Sequence, residues 1–481
     1  MLGKLKSNFI LKKIFKNISK RIYYDFIRYN KKFQNKFDLS LKDYKLFKEI
    51  IIEIIPIVGI FGKKYFININ KEYIKSIYFD DEEVKRNYIT EEDLVSKIKI
   101  ILDPKNKSLK KLFDCCDCIK EINFVKFDRS DIIDMSEIFN NCKNLINIKF
   151  TNFNSSNVNN MKGMFSWCSS LKELDLSNLN TSKVIDMRDM FLRCCDLKYL
   201  NISKFDTSKL ANMYSMFNYC LSLVELDLSN FNTSNVTNMI ELFNECSSLE
   251  KINVSSFDTS KINNMFNFFN NCSSLKKLDL FYFKTDKVIN MESMFQGCSS
   301  LEELNLSNFR TNNVINMKEM FAGCSSLNTL NISNFSTIKV NNMNGMFKGC
   351  SSLKQLNLSN FSTNEVIDMG HMFNECTSLI ELNLLNFNTN KVTNMEFMFH
   401  KCSSLKKLNI SRFKTSNVRN MSRMFFNCSS LINLVTSTFD IKNETNKYFM
   451  LRGCKTEIKE AILGKKIQEL KETKEINEIF D

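Results

Sequence analysis

Proline occurs only twice in 481 residues, glycine eleven times and histidine twice. So little proline and glycine leaves the turns to other residues. Asn, Ser and Asp are the candidates, because their side chains bond nearby backbone. His371 and His400 fall in different slots of the pattern described below and are expected on its exposed side. Without convergent partners they offer neither a general base nor a metal site. A Gly-rich phosphate loop and a nucleophile elbow are also missing, so no catalytic residue, cofactor or metal is expected. The longest apolar run, Ile50 to Phe61, is broken by Glu53 and Pro56 and as a helix would rise only about 18 Å, short of a bilayer core. Lys12, Lys13, Lys16 and Lys20 interrupt every apolar stretch of the first 30 residues. No secretory signal is read there, and the expected compartment is cytoplasmic.

What is present is globular in proportion, 43% hydrophobic and 25% charged. The net charge of +14 is uneven, since residues 1–50 hold 14 Lys and Arg against 4 Asp and Glu. Nucleic acid or an anionic membrane would be attracted to that segment, but no nucleic-acid recognition motif accompanies it.

The cysteines reveal a period. Fourteen of the seventeen, from Cys116 to Cys454, recur every 26 residues without an insertion. In one unit Met161, Met164, Phe165 and Cys168 stand at i, i+3, i+4 and i+7, which predicts an apolar stripe on a short helix. Asn160 precedes it as an N-cap. Asp or Asn fills that slot in nearly every unit, as at Asp186, Asn212 and Asn238. Leu171, Leu174 and Leu176 follow in L-x-x-L-x-L spacing, and the alternation of Leu174 and Leu176 with Asp175 predicts a short strand with one buried face. Leu179 and Val184 anchor the return turn. Such a unit cannot bury its own apolar side, so units must stack and share a core. The fold class expected is an α/β repeat solenoid, a leucine-rich-repeat-like array of about 13–14 rungs of short strand plus short helix.

The units "MKGMFSWCSSLKELDLSNLNTSKV" and "MESMFQGCSSLEELNLSNFRTNNV" resemble the BspA-type leucine-rich repeat, the 26-residue surface-protein repeat. The resemblance implies a leucine-rich-type solenoid and a cell-surface protein concerned with adhesion.

Three regions are expected: a basic helix with a small α+β domain over residues 1–104, the solenoid over 105–455, and a capping helix over 456–481. Ile10, Ile14, Ile18, Ile22 and Phe26 mark the N-terminal amphipathic helix. It packs on its own domain, touches a membrane surface, or acts as an F-box-like substrate adaptor, to which "ILKKIFKNI" is loosely similar. Strands are expected at Ile50–Ile55, around Tyr65, Ile67 and Ile69, and at Ile98–Leu102.

Two readings of chemistry stand beside the architecture. The thiol column is expected to be a line of small buried hydrophobes in a ladder that spreads them along a line, unsuited to a metal. The outward strand positions offer a candidate partner-binding face. One column is Asp175, Asn201, Asp227, Asn253, Asp279, Asn305, Asn331, Asn357, Asn383 and Asn409. The other, two residues earlier, varies freely: Glu173, Tyr199, Glu225, Lys251, Lys277, Glu303, Thr329, Gln355, Glu381 and Lys407. The first column reads either as an amide ladder that satisfies itself or, with the second, as a surface for a protein or glycan ligand. The functional expectation is a non-enzymatic interaction scaffold, with a surface adhesin and an F-box-like adaptor as alternatives.

Overall fold

The computed structural model describes residues 48–59, 61–151, 153–436 and 445–463. The N-terminal amphipathic helix, with its membrane-surface and adaptor readings, lies outside the described residues. At the start of the described chain Ile50, Ile52 and Ile54 are fully buried and alternate with more open neighbours, which makes Ile50–Pro56 a strand, β1. Pro56, with no N–H to give a ladder, is its last residue. The short β2 (Lys64–Tyr65), then β3 (Ile74–Phe79), β4 (Glu82–Val84), β5 (Tyr88–Ile89) and β6 (Ile98–Leu102) follow. The expected alternation around Tyr65, Ile67 and Ile69 does not form. Phe66 and Ile67 are both buried while Tyr65 is open, because the Asn68 N–H donates to the Leu112 carbonyl at 2.7 Å and ties this segment to the first repeat unit.

β7 (Ile119–Lys126) pairs antiparallel with β1, and β8 (Asn147–Phe150) pairs parallel with β7. One six-stranded sheet, ordered β4-β3-β6-β1-β7-β8, thus runs from the N-terminal hairpins into the repeat without an edge between them. Arg129 is 1% exposed at this junction. Its guanidinium donates to the carbonyls of Asn106 (2.6 Å), Pro104 (3.1 Å) and Lys48 (3.3 Å), and to Asp131.

Beyond β8 the chain is a strand-based solenoid. Its strands are three residues each: β9 (Glu173–Asp175), β10 (Tyr199–Asn201), β11 (Glu225–Asp227), β12 (Lys251–Asn253), β13 (Lys277–Asp279), β14 (Glu303–Asn305), β15 (Glu381–Asn383), β16 (Lys407–Asn409) and β17 (Asn433–Val435). About twelve turns separate Glu121 of β7 from Asn433 of β17. The larger count expected from the thiols includes the end unit at Cys454, which runs into a terminal helix in place of a strand. Pairing is parallel with equivalent residues opposed, Glu173 to Tyr199 and Leu174 to Leu200. The ladder is interrupted: β9 joins β10, β11 joins β12, β13 joins β14, and β15, β16 and β17 form a triplet. Residues 329–331 and 355–357 carry no strand.

The short helix expected in each rung is not there. Residues 161–168 form a succession of tight turns whose backbone donors alternate in direction. Met161, Gly163, Phe165 and Trp167 donate to Asp186, Arg188, Met190 and Leu192 of the next rung at 2.7–3.0 Å, while Met164, Ser166 and Cys168 donate three residues back at 3.0–3.2 Å. A helix would direct every N–H back along its own axis. Here half of them stitch rungs together. The geometry needs a left-handed residue every fourth position, Gly163 (φ 58°) and Trp167 (φ 62°), then Asp189 and Arg193 in the next rung, and so on to Phe449 and Gly453. A left-handed corner that is not glycine costs about 1–3 kcal/mol, comparable with the return from fully burying one large apolar side chain, about 1.5–3 kcal/mol. Each pair of corners sets Met161, Met164, Phe165 and Leu171 at 0% exposure, so burial wins. The inward pattern 1, 4, 5, 8 is shared by a helix and by four-residue turns, which is why periodicity alone chose the wrong element. Asn160 keeps the acceptor role expected of a cap, its Oδ1 receiving the Lys162 N–H at 3.0 Å. Its backbone instead bridges Asp186, within a second parallel ladder that runs from Asp134 to Asn446 with one gap, between Asn238 and Asn264.

The core is a set of columns. Phenylalanine rings from Phe113 to Phe425 stack face to face with centroids 5.2–6.1 Å apart and planes within 17°. Beside them the thiols from Cys142 to Cys428 are at most 1% exposed, and each donates to the carbonyl of a phenylalanine in the preceding rung, as Cys168 does to Phe139 at 3.1 Å. Burial pushes these thiols up, Cys298 to about 12. The described chain ends in a helix, α1 (Thr456–Leu463), with Ile458 buried; Leu470 and Ile476, expected to continue it, lie outside the described residues.

Candidate partner-binding face

The strand positions are set by burial of one residue in three. Leu174, Leu226, Leu278 and Leu382 are 3–4% exposed at the centres of their strands, so the residues on either side must point outward. Glu173, Asp175, Tyr199, Asn201, Glu225, Asp227, Lys251, Asn253, Lys277, Asp279, Glu303, Asn305, Gln355, Asn357, Glu381, Asn383 and Lys407 are all exposed, as are Thr329 and Asn331, and Asn409 is half-buried. The sequence-derived face is therefore brought together on one side, although Gln355 and Asn357 stand where no strand forms.

The Asx column has a structural duty. The Asp175 carboxylate accepts the Ser177 N–H at 2.9 Å, and Asn201, Asp227, Asn253, Asp279 and Asn305 accept the equivalent N–H two residues on. These are Asx turns that close the exit from each strand, and those hydrogen bonds hold the Asp175 carboxyl below its ordinary range. Amide links also cross rungs on this column, as from Asn305 to Asp279 at 3.0 Å. The neighbouring column is held more loosely. Lys251 pairs with Glu225 at 2.5 Å and Lys277 with Glu303 at 2.7 Å; both ammonium groups are raised by these carboxylates. All four side chains are at least 61% exposed, and such water-screened pairs are easily exchanged for other charges.

Two shallow grooves lie on the face. One, of about 790 Å³, is bordered by Glu173, Lys198, Tyr199, Val224, Glu225 and Glu250 and spans the break between β10 and β11. Tyr199 is 57% exposed there. The other, of about 540 Å³, is bordered by Gln355, Asn357, Glu381, Asn383, Lys407 and Asn409.

The histidines depart from expectation. His400 is 8% exposed and Nδ1 lies 2.9 Å from the Asn374 Oδ1; burial pushes it down to about 4. His371 is half-buried, its ring stacked on Phe397 at 4.7 Å. The turn column is wide enough to shelter side chains that a helix would have turned to water. Among the described residues no group of three or more His, Cys, Asp or Glu side chains is placed to hold a metal ion. No helix among them is long and apolar enough to cross a membrane.

One cluster escaped the sequence reading. The Arg193 guanidinium is sandwiched between Trp167 (4.4 Å) and Tyr219 (4.2 Å), each from an adjacent rung. Trp167, Arg193 and Tyr219 share one slot of the 26-residue unit, so aligning every slot, and not the strand alone, would have found them.

No curated protein matches the chain. Among solved structures it is similar to a leucine-rich cell surface protein from Faecalibacterium prausnitzii A2-165, with 16% identity over 67% of this chain and 82% of that one and a TM-score of 0.38. It is also similar to leucine-rich repeat proteins from Bacteroides ovatus ATCC 8483 (20% identity, 64% and 83% covered, TM-score 0.33) and Eubacterium ventriosum ATCC 27560 (15% identity, 68% and 80% covered, TM-score 0.26). The family model described as "Mycoplasma protein of unknown function, DUF285" matches residues 107–199, 193–281, 269–379 and 354–462. With the 26-residue BspA-type unit repeated along that whole span, the chain belongs to the DUF285 family of leucine-rich-type repeat proteins.

Proposed function

We propose that this protein is a non-enzymatic scaffold that presents the outward strand face of its solenoid to a protein partner. The observation that carries the reading is the groove at Tyr199. An aromatic ring stands largely exposed over a concavity, flanked by the carboxylates of Glu173, Glu225 and Glu250, of which Glu225 holds Lys251 in a water-screened pair. Tyrosine supplies a large contact area at low conformational cost, which suits an anchor in an interface. The Asx column keeps the strand exits fixed while the residues two positions earlier differ from rung to rung, so the face is rigid in backbone and individual in chemistry.

Pull-down with the full chain tests this. The comparison is between the parent and a variant carrying Tyr199→Ala and Glu225→Ala. A partner held by the parent and lost by the folded variant supports the reading; a partner held equally by both defeats it. Protease treatment of intact cells separates the compartments: cleavage of the solenoid places the scaffold at the surface as an adhesin, and full protection places it inside.

A further inference from the structure

The geometry points to a second interaction surface, away from the strand face and independent of the reading above: a lysine–isoleucine edge that docks on an anionic lipid bilayer. The edge lies beside the Asn/Asp bridge ladder. In most rungs a buried valine or its equivalent, such as Val184, is flanked by two exposed residues, while Asn157, Ala211 and Thr393 are half-buried. The preceding position holds Lys183, Lys209, Lys261, Lys287, Lys339 and Lys391, all exposed. The following position holds Ile133, Ile185, Ile289, Ile315 and Ile367, which are 42–52% exposed, and in the other rungs Asn159, Ala211, Thr237, Asn263, Asn341, Thr393 and Arg419. Because the bridges are parallel and in register, these side chains form two adjacent lines along the solenoid.

Local structure does not account for both lines. A β-branched residue suits a ladder position, but Thr237 and Thr393 occupy the isoleucine slot and bond the preceding rung through their hydroxyls. Ladder propensity therefore does not demand an exposed aliphatic side chain. Several lysines are steadied from the rung before: Lys261 donates to Asn235 at 3.0 Å, Lys339 to Asn313 at 2.7 Å, and Lys183 to Asn157. Each ammonium has three donors, so two remain for an outside acceptor. Acids on these lines are few. Glu365 is paired with Lys391 and Asp131 with Arg129, and Asp286 stands beside Lys287. The column three residues before the lysines is balanced, Asp128, Asp206 and Asp258 against Lys284, Arg310 and Lys414.

A line of positive charge next to a line of exposed aliphatic side chains matches the chemistry of a lipid interface. Ammonium groups meet anionic headgroups and the isoleucines enter the headgroup boundary. Nucleic acid fits less well. Unpaired bases are held by aromatic or guanidinium planes, and the only such group in these lines is Arg419. The Trp167–Arg193–Tyr219 stack belongs to another column.

The test is co-sedimentation of the full chain with vesicles of phosphatidylcholine alone and of phosphatidylcholine mixed with phosphatidylserine, at low and high salt. The parent is expected to bind only the mixed vesicles, and less at high salt. Changing Lys209, Lys261 and Lys287 to Gln is expected to lower binding by roughly tenfold or more. Changing Ile289, Ile315 and Ile367 to Ser weakens binding but keeps its dependence on phosphatidylserine. Circular dichroism confirms that each surface variant is folded. A third set, Lys12, Lys13, Lys16 and Lys20 to Gln, isolates the basic N-terminal segment. Loss of binding in that set alone overturns the proposal. So does equal binding to both vesicle types, no binding by the parent, or capture of a single-stranded RNA probe that depends on the edge lysines without vesicle binding.

Discussion

The Thr181 hydroxyl donates to the Asp206 carbonyl at 2.9 Å and accepts the Asp206 N–H at 2.8 Å. A single buried side chain thereby closes a ring with one residue of the next rung. The same double bond links Thr285 to Arg310, at 2.9 and 2.7 Å, and Thr285 is fully buried. Thr285→Val keeps the shape but leaves the Arg310 N–H and carbonyl without that partner. It is expected to lower stability by about 1–3 kcal/mol, while Thr285→Ser loses less. Urea unfolding measures the global effect, and amide exchange at Arg310 reads the local one. A valine variant as stable as the parent would mean that water replaces the hydroxyl.

Arg129 predicts a second stability effect. Arg129→Met removes the donors that hold the carbonyls of Lys48, Pro104 and Asn106 and leaves them facing an apolar side chain. The expected loss is again about 1–3 kcal/mol, with Arg129→Lys unable to span all three acceptors. Hydrogen exchange should quicken in β1 and β6 before it does in the central rungs. Uniform quickening along the whole solenoid would argue that Arg129 does not act as a local clasp.

How much of this was legible beforehand differs by element. The period, the phenylalanine and leucine columns and the outward strand face were readable because each signal repeats at one spacing. Met161, Met164, Phe165 and Cys168 misled because their spacing serves two backbone paths, and only the N–H directions separate them. Thr181 and Lys183 went unread for another reason. Neither follows an amphipathic period, and their meaning comes from what stands beside them in the adjacent rung. The segment from Phe66 to Ile69 was misread because its bond partner, Leu112, lies far along the chain.

The thiol column makes stability depend on alkaline pH. A thiol whose folded value lies above its unfolded one contributes stability that is complete below the unfolded value and lost as pH rises toward the folded one. Cys246, Cys298 and Cys350 stand at about 12 against an ordinary 9.0. Urea midpoints should therefore fall from about pH 9 upward, and Cys298→Ala should make the fall shallower. In the native protein a thiol reagent should reach the exposed Cys115 well before the column. Rapid modification of Cys298 without unfolding would contradict its burial.

His400 gives the opposite sign. Its folded value near 4 lies below the ordinary 6.5, so the stability tied to its neutral ring is complete above 6.5 and lost as pH falls from there toward 4. Proton resonances of the two histidines report this directly. The His400 midpoint should lie well below 6.5, and that of His371, lowered first by burial, below it as well. A His400 midpoint at or above 6.5 would show a ring open to water.

The alternating donors of the turn column bear on how such a protein changes length. Each outward N–H reaches a residue 25 positions later, and that partner is backbone, whatever its side chain. Excising or duplicating one whole unit would rejoin matching donors and acceptors across the cut, whereas loss of a single residue would misalign every bond at that junction. Growth and shrinkage by complete modules is thus built into the backbone, and the surface lines lengthen or shorten with it.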